Sequence, residues 1–154
     1  MANEVRQRIV NAVETRLRGI TTGNGYNTNL GNNLSVWRDL INAPLDPSEL
    51  PAGSIWDTEE ETSEMVSSRH EHRLMFEVHV AGATDAVVRQ MLADLYKAIG
   101  TDRLWVVAGS QLAQRTDPVG SQMGIAQKGS AIVGATFKFR IVYRTAPFDQ
   151  STLK

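Results

Sequence analysis

The stretch His70-Glu71-His72-Arg73-Leu74-Met75-Phe76-Glu77-Val78-His79-Val80 decides the fold. Alternate residues of a strand point to opposite faces, so His70, His72, Leu74, Phe76, Val78 and Val80 share one face. Glu71, Arg73, Met75, Glu77 and His79 share the other. Period-two alternation over this length predicts a strand with one face on a core and a charged face toward water or a partner. A second such run covers about 130–145. Val133, Ala135, Phe137, Phe139, Ile141 and Tyr143 alternate with Gly134, Thr136, Lys138, Arg140, Val142 and Arg144. If the two strands are neighbours, Glu71 and Glu77 can meet Lys138 and Arg140 across the sheet, each exposed pair adding ~0.2–1 kcal/mol.

Two helices flank these strands. From about Glu4 to Arg18, the residues Val5, Ile9, Ala12, Val13, Leu17 and Ile20 recur at three- and four-residue steps. Asn3 is the expected N-cap and Gly19 the expected stop. Thr84 is placed to cap a helix over about 85–99, striped by Val88, Met91, Leu92, Leu95 and Ile99 and ended by Gly100. Between the helices, Asn24-Gly25 predicts a tight turn with positive φ, and Leu34–Arg38 and Ser54–Thr58 read as short strands. Pro44, Pro47 and Pro51 exclude regular structure from their segment, which is expected to cross the surface as an ordered connection. The run Asp57–Glu64 holds five carboxylates and no cation, and reads as a solvated strand end or loop. Gly109–Gly129 is rich in Gly and Gln and is expected to form a long hairpin or extended loop. Pro147–Lys154 lacks a pattern and is expected to be a flexible tail. The predicted class is α+β: residues 1–146 as one domain, with a mainly antiparallel sheet and two helices on its apolar face.

Composition narrows the function. The chain has 154 residues, 16 Lys plus Arg, 17 Asp plus Glu and no cysteine. A net charge of −1 does not hold nucleic acid by bulk electrostatics. Without cysteine there is no disulfide, thiol nucleophile or Cys-ligated metal. The start lacks the apolar core of a secretory signal, and no run approaches the ~20 residues needed to cross a bilayer. Charge is uneven: residues 1–100 carry 14 acids against 9 bases, and residues 101–154 carry 3 against 7. Such a split can attract copies head to side.

Catalytic and metal chemistry finds little footing. His70 and His72 share a face and could chelate, but zinc needs a third and fourth placed ligand, and His79 points the other way. The acidic run lacks the glycine and alternating spacing of a calcium loop. Ser67-Ser68 beside His70, Gly120–Gly124 and Gly23-Asn24-Gly25 lack the contexts of a nucleophile elbow or phosphate loop. No catalytic residue, cofactor or metal is expected. Trp37, Trp56 and Trp105 fall at element edges, where a core border and a subunit contact are equally served.

The order of features carries a resemblance. A helix ends in a Gly/Asn turn with Tyr26. Val36-Trp37-Arg38 follows, then Pro44-Leu45-Asp46-Pro47-Ser48-Glu49-Leu50-Pro51-Ala52 and Asp57-Thr58-Glu59-Glu60. Ala93-Asp94-Leu95 and Ala98-Ile99 lie in a helix, and the last strand ends Val142-Tyr143-Arg144-Thr145. Over about residues 4–146 this resembles the tail terminator, or tail completion, proteins of long-tailed bacteriophages. The resemblance implies a structural virion protein at the head–tail junction, assembled in the host cytoplasm. It implies a ring, usually of six copies, that caps the tail tube and ends its elongation. The tail tube protein and a neck or head-completion protein would be its partners, and DNA would pass through the channel without specific binding. It implies no catalytic residues and no membrane. Identical wedges need heterologous contacts that close by rotation. Glu59, Glu60, Glu61 or Glu64 could meet Lys138, Arg140 or Arg144 of the next copy, or could line the channel, with Trp37 and Trp56 as further contact candidates. Another neck protein, head-closure or tail-to-head joining, is the nearest alternative. A small metal-binding or hydrolytic domain and a tail-tube or baseplate-type protein are others.

Overall fold

A computed structural model describes residues 4–40, 45–66, 68–125 and 132–154, with the side chains of 66 and 125 excepted. The expected N-cap Asn3, Pro44 and the stretch 126–131 lie outside the described residues. The elements are α1 (Val5–Arg18), β1 (Leu34–Val36), β2 (Ala52–Val66), β3 (Arg69–Gly82), α2 (Asp85–Gly100), β4 (Val106–Val107), β5 (Ser110–Gln111), β6 (Arg115–Ile125), β7 (Val133–Ala146) and β8 (Asp149–Leu153). The main sheet runs β1-β2-β3-β7-β6, with β8 also paired to β7. All its pairings are antiparallel except β1 with β2. The fold is the α+β arrangement expected from the sequence.

The two alternating runs form the centre. β3 and β7 pair without a register shift from His70↔Thr145 to Gly82↔Val133. Their inner faces supply Leu74, Phe76, Val78, Phe137, Phe139, Ile141 and Tyr143 to the core, all buried. Phe76 stacks on Phe139 at 5.1 Å. Both helices lay their stripes on this face: Val5, Ile9, Val13 and Leu17 from α1, and Val88, Met91, Leu95 and Ile99 from α2. Thr84 caps α2 by accepting from the Val87 amide. The helix runs through Gly100, so its stop is Thr101, one residue beyond expectation.

Polar anchors fix the helices laterally. Buried Asp94 on α2 accepts from the amides of Asn27 and Thr28, the Asn27 side chain and the Thr28 hydroxyl, at 2.7–3.0 Å. This ties the Gly/Asn loop to α2. Arg16 on α1 lies 3.4 Å over the Trp105 ring and donates to the Asp102 carbonyl. The proline-containing connection crosses the outer face, where Leu40, Leu45, Ala52, Ala81 and Ile132 form a second, small core.

Two expectations are narrowed and one is corrected. The acidic run is not a loop: of the two expected forms it is strand, the largely solvated second half of β2, hydrogen-bonded along β3, with Glu60 turned inward. The stretch after Gly109 is no extended loop: it contributes β5 and then β6, which forms a long hairpin with β7 within the main sheet, and Leu112, Ala113 and Thr116 in it are buried. Strand alternation there is masked by Gly, Gln and Pro118. Residues 147–154 are not a loose tail. They turn back as β8, and Leu153 packs against the core. Asp149 accepts from the Ser151 amide and from the Ser151 and Thr152 hydroxyls, a local bracing that hydrophobic patterning does not report.

Gly31 shows how tightly the loop closes on α1. Its amide donates to the Ile20 carbonyl, and a Cβ built there would sit 2.2 Å from the Arg18 carbonyl oxygen. That neighbour is helix backbone and cannot turn aside. Gly25 has φ +83° but open space around it. Gly31→Ala is therefore expected to destabilise by about 3 kcal/mol or more, and Gly25→Ala by about 1 kcal/mol, in denaturant titrations. Equal losses would contradict this packing.

Candidate interaction surfaces

The unshifted β3–β7 register settles the ion pairing on the outer face. Glu77 lies opposite Lys138 and pairs with it at 3.3 Å. Arg140 falls opposite Met75 on one side and Asp117 on the other, and pairs with Asp117 at 3.4 Å. Arg144 faces Glu71 at 3.3 Å, and Arg73 reaches the same carboxylate at 3.4 Å. The expected partnership of Glu77 with Lys138 forms. Glu71 meets Arg144 in place of Lys138 or Arg140, because the register sets them six and four ladder positions apart. Burial pushes the Glu77 carboxyl up, but hydrogen bonds from His79 and Lys138 outweigh it and hold it below the usual range. Asp117 is lowered in the same way by Arg115 and Arg140, against burial.

A bulge decides where the acidic run points. β2 follows β3 from Ala52↔Ala81 to Asp57↔Phe76, then resumes at Glu59↔Met75. The extra residue, Thr58, exchanges the parity of the strand. Ile55 and Asp57 face inward before it, Glu60, Thr62 and Glu64 after it. Glu59 and Glu61 face outward, beside Arg73, Met75 and Arg140 around a small depression.

Inside, Glu60 meets a set of polar groups. Tyr143 donates a short hydrogen bond to Glu60, and its hydroxyl also lies 3.2 Å from Gln150. Arg6 of α1 approaches Glu60 at 3.5 Å and Asp57 at 2.8 Å. His72 is buried, stacked on Tyr143 at 4.7 Å, with Thr62 at Nδ1 and Thr145 at Nε2. Burial raises the Tyr143 hydroxyl, and the Glu60 carboxylate raises it further. Burial lowers the His72 imidazole; Glu60 opposes this and His70 adds to it. The cluster ties α1 to the end of the sheet, and its donors and acceptors are engaged with one another. The three described clefts lie elsewhere. Among the described residues, no group of three or more His, Asp and Glu is arranged to hold a metal ion.

The candidate residues thus divide. Lys138, Arg140 and Arg144 each have a carboxylate partner in their own chain, and Glu60 is held by Tyr143 and Arg6. Glu59, Glu61 and Glu64 remain exposed, with no ion pair among the described residues. Trp37, half exposed at φ +59°, donates to Asp57 at 2.7 Å and packs 4.5 Å from Trp56, which stacks on His79. Trp105 sits at an element edge as expected, directly before β4, and it belongs to the core: it is fully buried, donating to the Thr116 hydroxyl. Other exposed apolar groups include Tyr96 on α2, the Val106–Val107 pair on the β4–β5 hairpin and Phe148 in the β7–β8 turn. Phe148 went unmarked in the sequence, because a bare apolar residue in a turn has no periodicity to announce it.

Compared with known proteins, the chain matches no family model and no curated sequence. No helix among the described residues is long and apolar enough to cross a membrane.

His72 generates a pH dependence. Its folded imidazole titrates below its unfolded value of about 6.5, so the folded state binds the proton less well. This contribution is fully present above pH about 6.5 and is lost as pH falls below that value toward the folded pKa. The depressed carboxylates Glu77 and Asp117 act in the same direction, but only in the acid range below about pH 4.5. Wild type is expected to lose stability as pH falls from 7.5 to 5.5, with a flatter profile in His72→Gln; parallel profiles in urea titrations would contradict a buried neutral imidazole.

Proposed function

We propose that this chain is a structural virion protein that closes into a ring, of six copies by the resemblance, on the end of a bacteriophage tail tube. There it ends elongation and forms the tail side of the head–tail junction. The observation that carries the reading is a sheet open at both sides. β1 covers β2 only at Gly53–Ile55, leaving the acidic half of β2 as one edge. β6 is the other edge, and no described strand pairs on its far side. Two unlike edges on opposite sides of a rigid sheet favour head-to-tail contact, the geometry of a ring. Each edge also carries a guard against indiscriminate pairing: carboxylates on β2, and Pro118 with the Val119 bulge on β6.

The order of sequence motifs supplies the rest of the support. Glu59, Glu61 and Glu64 are the carboxylates available for either role foreseen for the acidic run. At a subunit contact they would meet cations of the next copy. Around a channel they would repel phosphate and keep DNA moving. The mechanism is capping: one face matches the growing end of the tube, and the other cannot accept a further tube subunit.

Tails assembled without this protein are expected to be overlong, and imaging their length distribution tests this. Tails of normal length that fail to join heads would instead identify a neck joiner.

A further inference from the structure

We propose that the Pro147-Phe148 turn is a docking knob, and that it inserts into the cleft between α1 and the β4–β5 hairpin of a second copy of this chain. The proposal rests on the ring reading above and names the contact that would build the ring.

Phe148 is 97% exposed, the most exposed large apolar side chain among the described residues. It sits in a two-residue turn, since Ala146 pairs with Asp149. Its φ of +57° belongs to the left-handed region, where a side chain is disfavoured and glycine fits. Pro147 before it matches a turn that calls for glycine at the next position. The fold therefore holds an aromatic ring in water, in a conformation that another residue would adopt more easily. His70 meets the ring edge-on at 4.9 Å, and Asp149 braces the residues that follow it. Aromatic anchors with few rotatable bonds dominate protein contacts.

The cleft has the complementary character. It is open, about 380 Å³, with Ala12, Val106, Val107 and Leu112 as its apolar surface and Arg8 and Arg16 at its border. Val106 and Val107 are each about half exposed, presented by a two-residue turn with positive φ at Ala108 and Gly109. Arg16 is engaged with Asp102 and Trp105, whereas Arg8 has no ion pair among the described residues. Around the knob the charge is opposite. Asp149 adjoins Phe148, and Glu64 faces His70 across the β2–β3 pair. An acid-bordered aromatic knob and a base-bordered apolar cleft on different parts of one surface make a heterologous contact, which propagates around a ring.

Phe148→Gly tests the knob without injuring the fold, because glycine suits the turn. The second variant, Val107→Asp, charges the cleft. Sedimentation over a wide concentration range is expected to show wild type assembling. Both variants should associate about thirtyfold more weakly or worse, with a melting temperature for Phe148→Gly equal to or above that of wild type at monomer-level concentration. Three outcomes overturn the inference: wild type monomeric throughout, Phe148→Gly assembling like wild type, or Val107→Asp assembling like wild type. A monomeric wild type would count against ring closure in solution as well, whereas the two variant outcomes leave the capping reading, which tail length decides separately, untouched. Overlong tails with an unaffected Phe148→Gly would leave a ring built by other contacts.

Discussion

The β3–β7 ladder is the constraint on which the rest of the molecule depends. Thirteen consecutive pairs without a bulge lock two alternating strands in one register, and a slip of one residue would turn every core side chain outward. The same register fixes both faces at once. Inward, it brings Phe76 against Phe139 and gives α1 and α2 their common floor. Outward, it sets Glu77 against Lys138 and Glu71 against Arg144. These outer pairs are partly solvated and individually weak. Their structural consequence is larger than their energy: they engage, within one chain, cations that an assembling surface could otherwise offer to a neighbour.

The bulge at Thr58 is the second determinant. Without it, the acidic run would keep the parity of Ile55 and Asp57, and Glu60 would face outward. With it, Glu60 turns under Tyr143 and Arg6, and the run is split between an internal tie and an exposed edge. A burst of charge in the sequence therefore has two physical roles. Desolvation keeps His72 neutral beside that tie, so the inner cluster reads as an attachment of α1 to the sheet. Its polar groups are engaged with one another.

Much of the fold was legible because it obeys simple periods. The stripes of α1 and α2, the faces of β3 and β7, and the Thr84 cap follow directly from residue spacing. What was not legible lacks a period. β6 carries Gly120, Gln122, Gly124 and Pro118, so its strand character comes from the partner it pairs with. β8 is five polar-rich residues whose order comes from an Asp149-braced turn and pairing with Thr145 and Ala146. The site was less legible than the fold. The acidic run was visible, but the bulge that sorts its members has no sequence signature. The burial of Trp105 depends on a long-range hydrogen bond to Thr116 and a cation from α1. Phe148 and Val107 gain meaning only from exposure, which is a property of the folded surface.

The account makes the molecule a rigid sheet that works through contacts with copies of itself. Amide hydrogen exchange at two protein concentrations tests this most directly. At both concentrations the amides of β3 and β7 should exchange slowest, as the strands paired on both sides. Only at the higher concentration should protection rise at 104–112 and 146–150. Identical exchange maps at the two concentrations, or β3 and β7 amides exchanging as fast as those of β8, would contradict it.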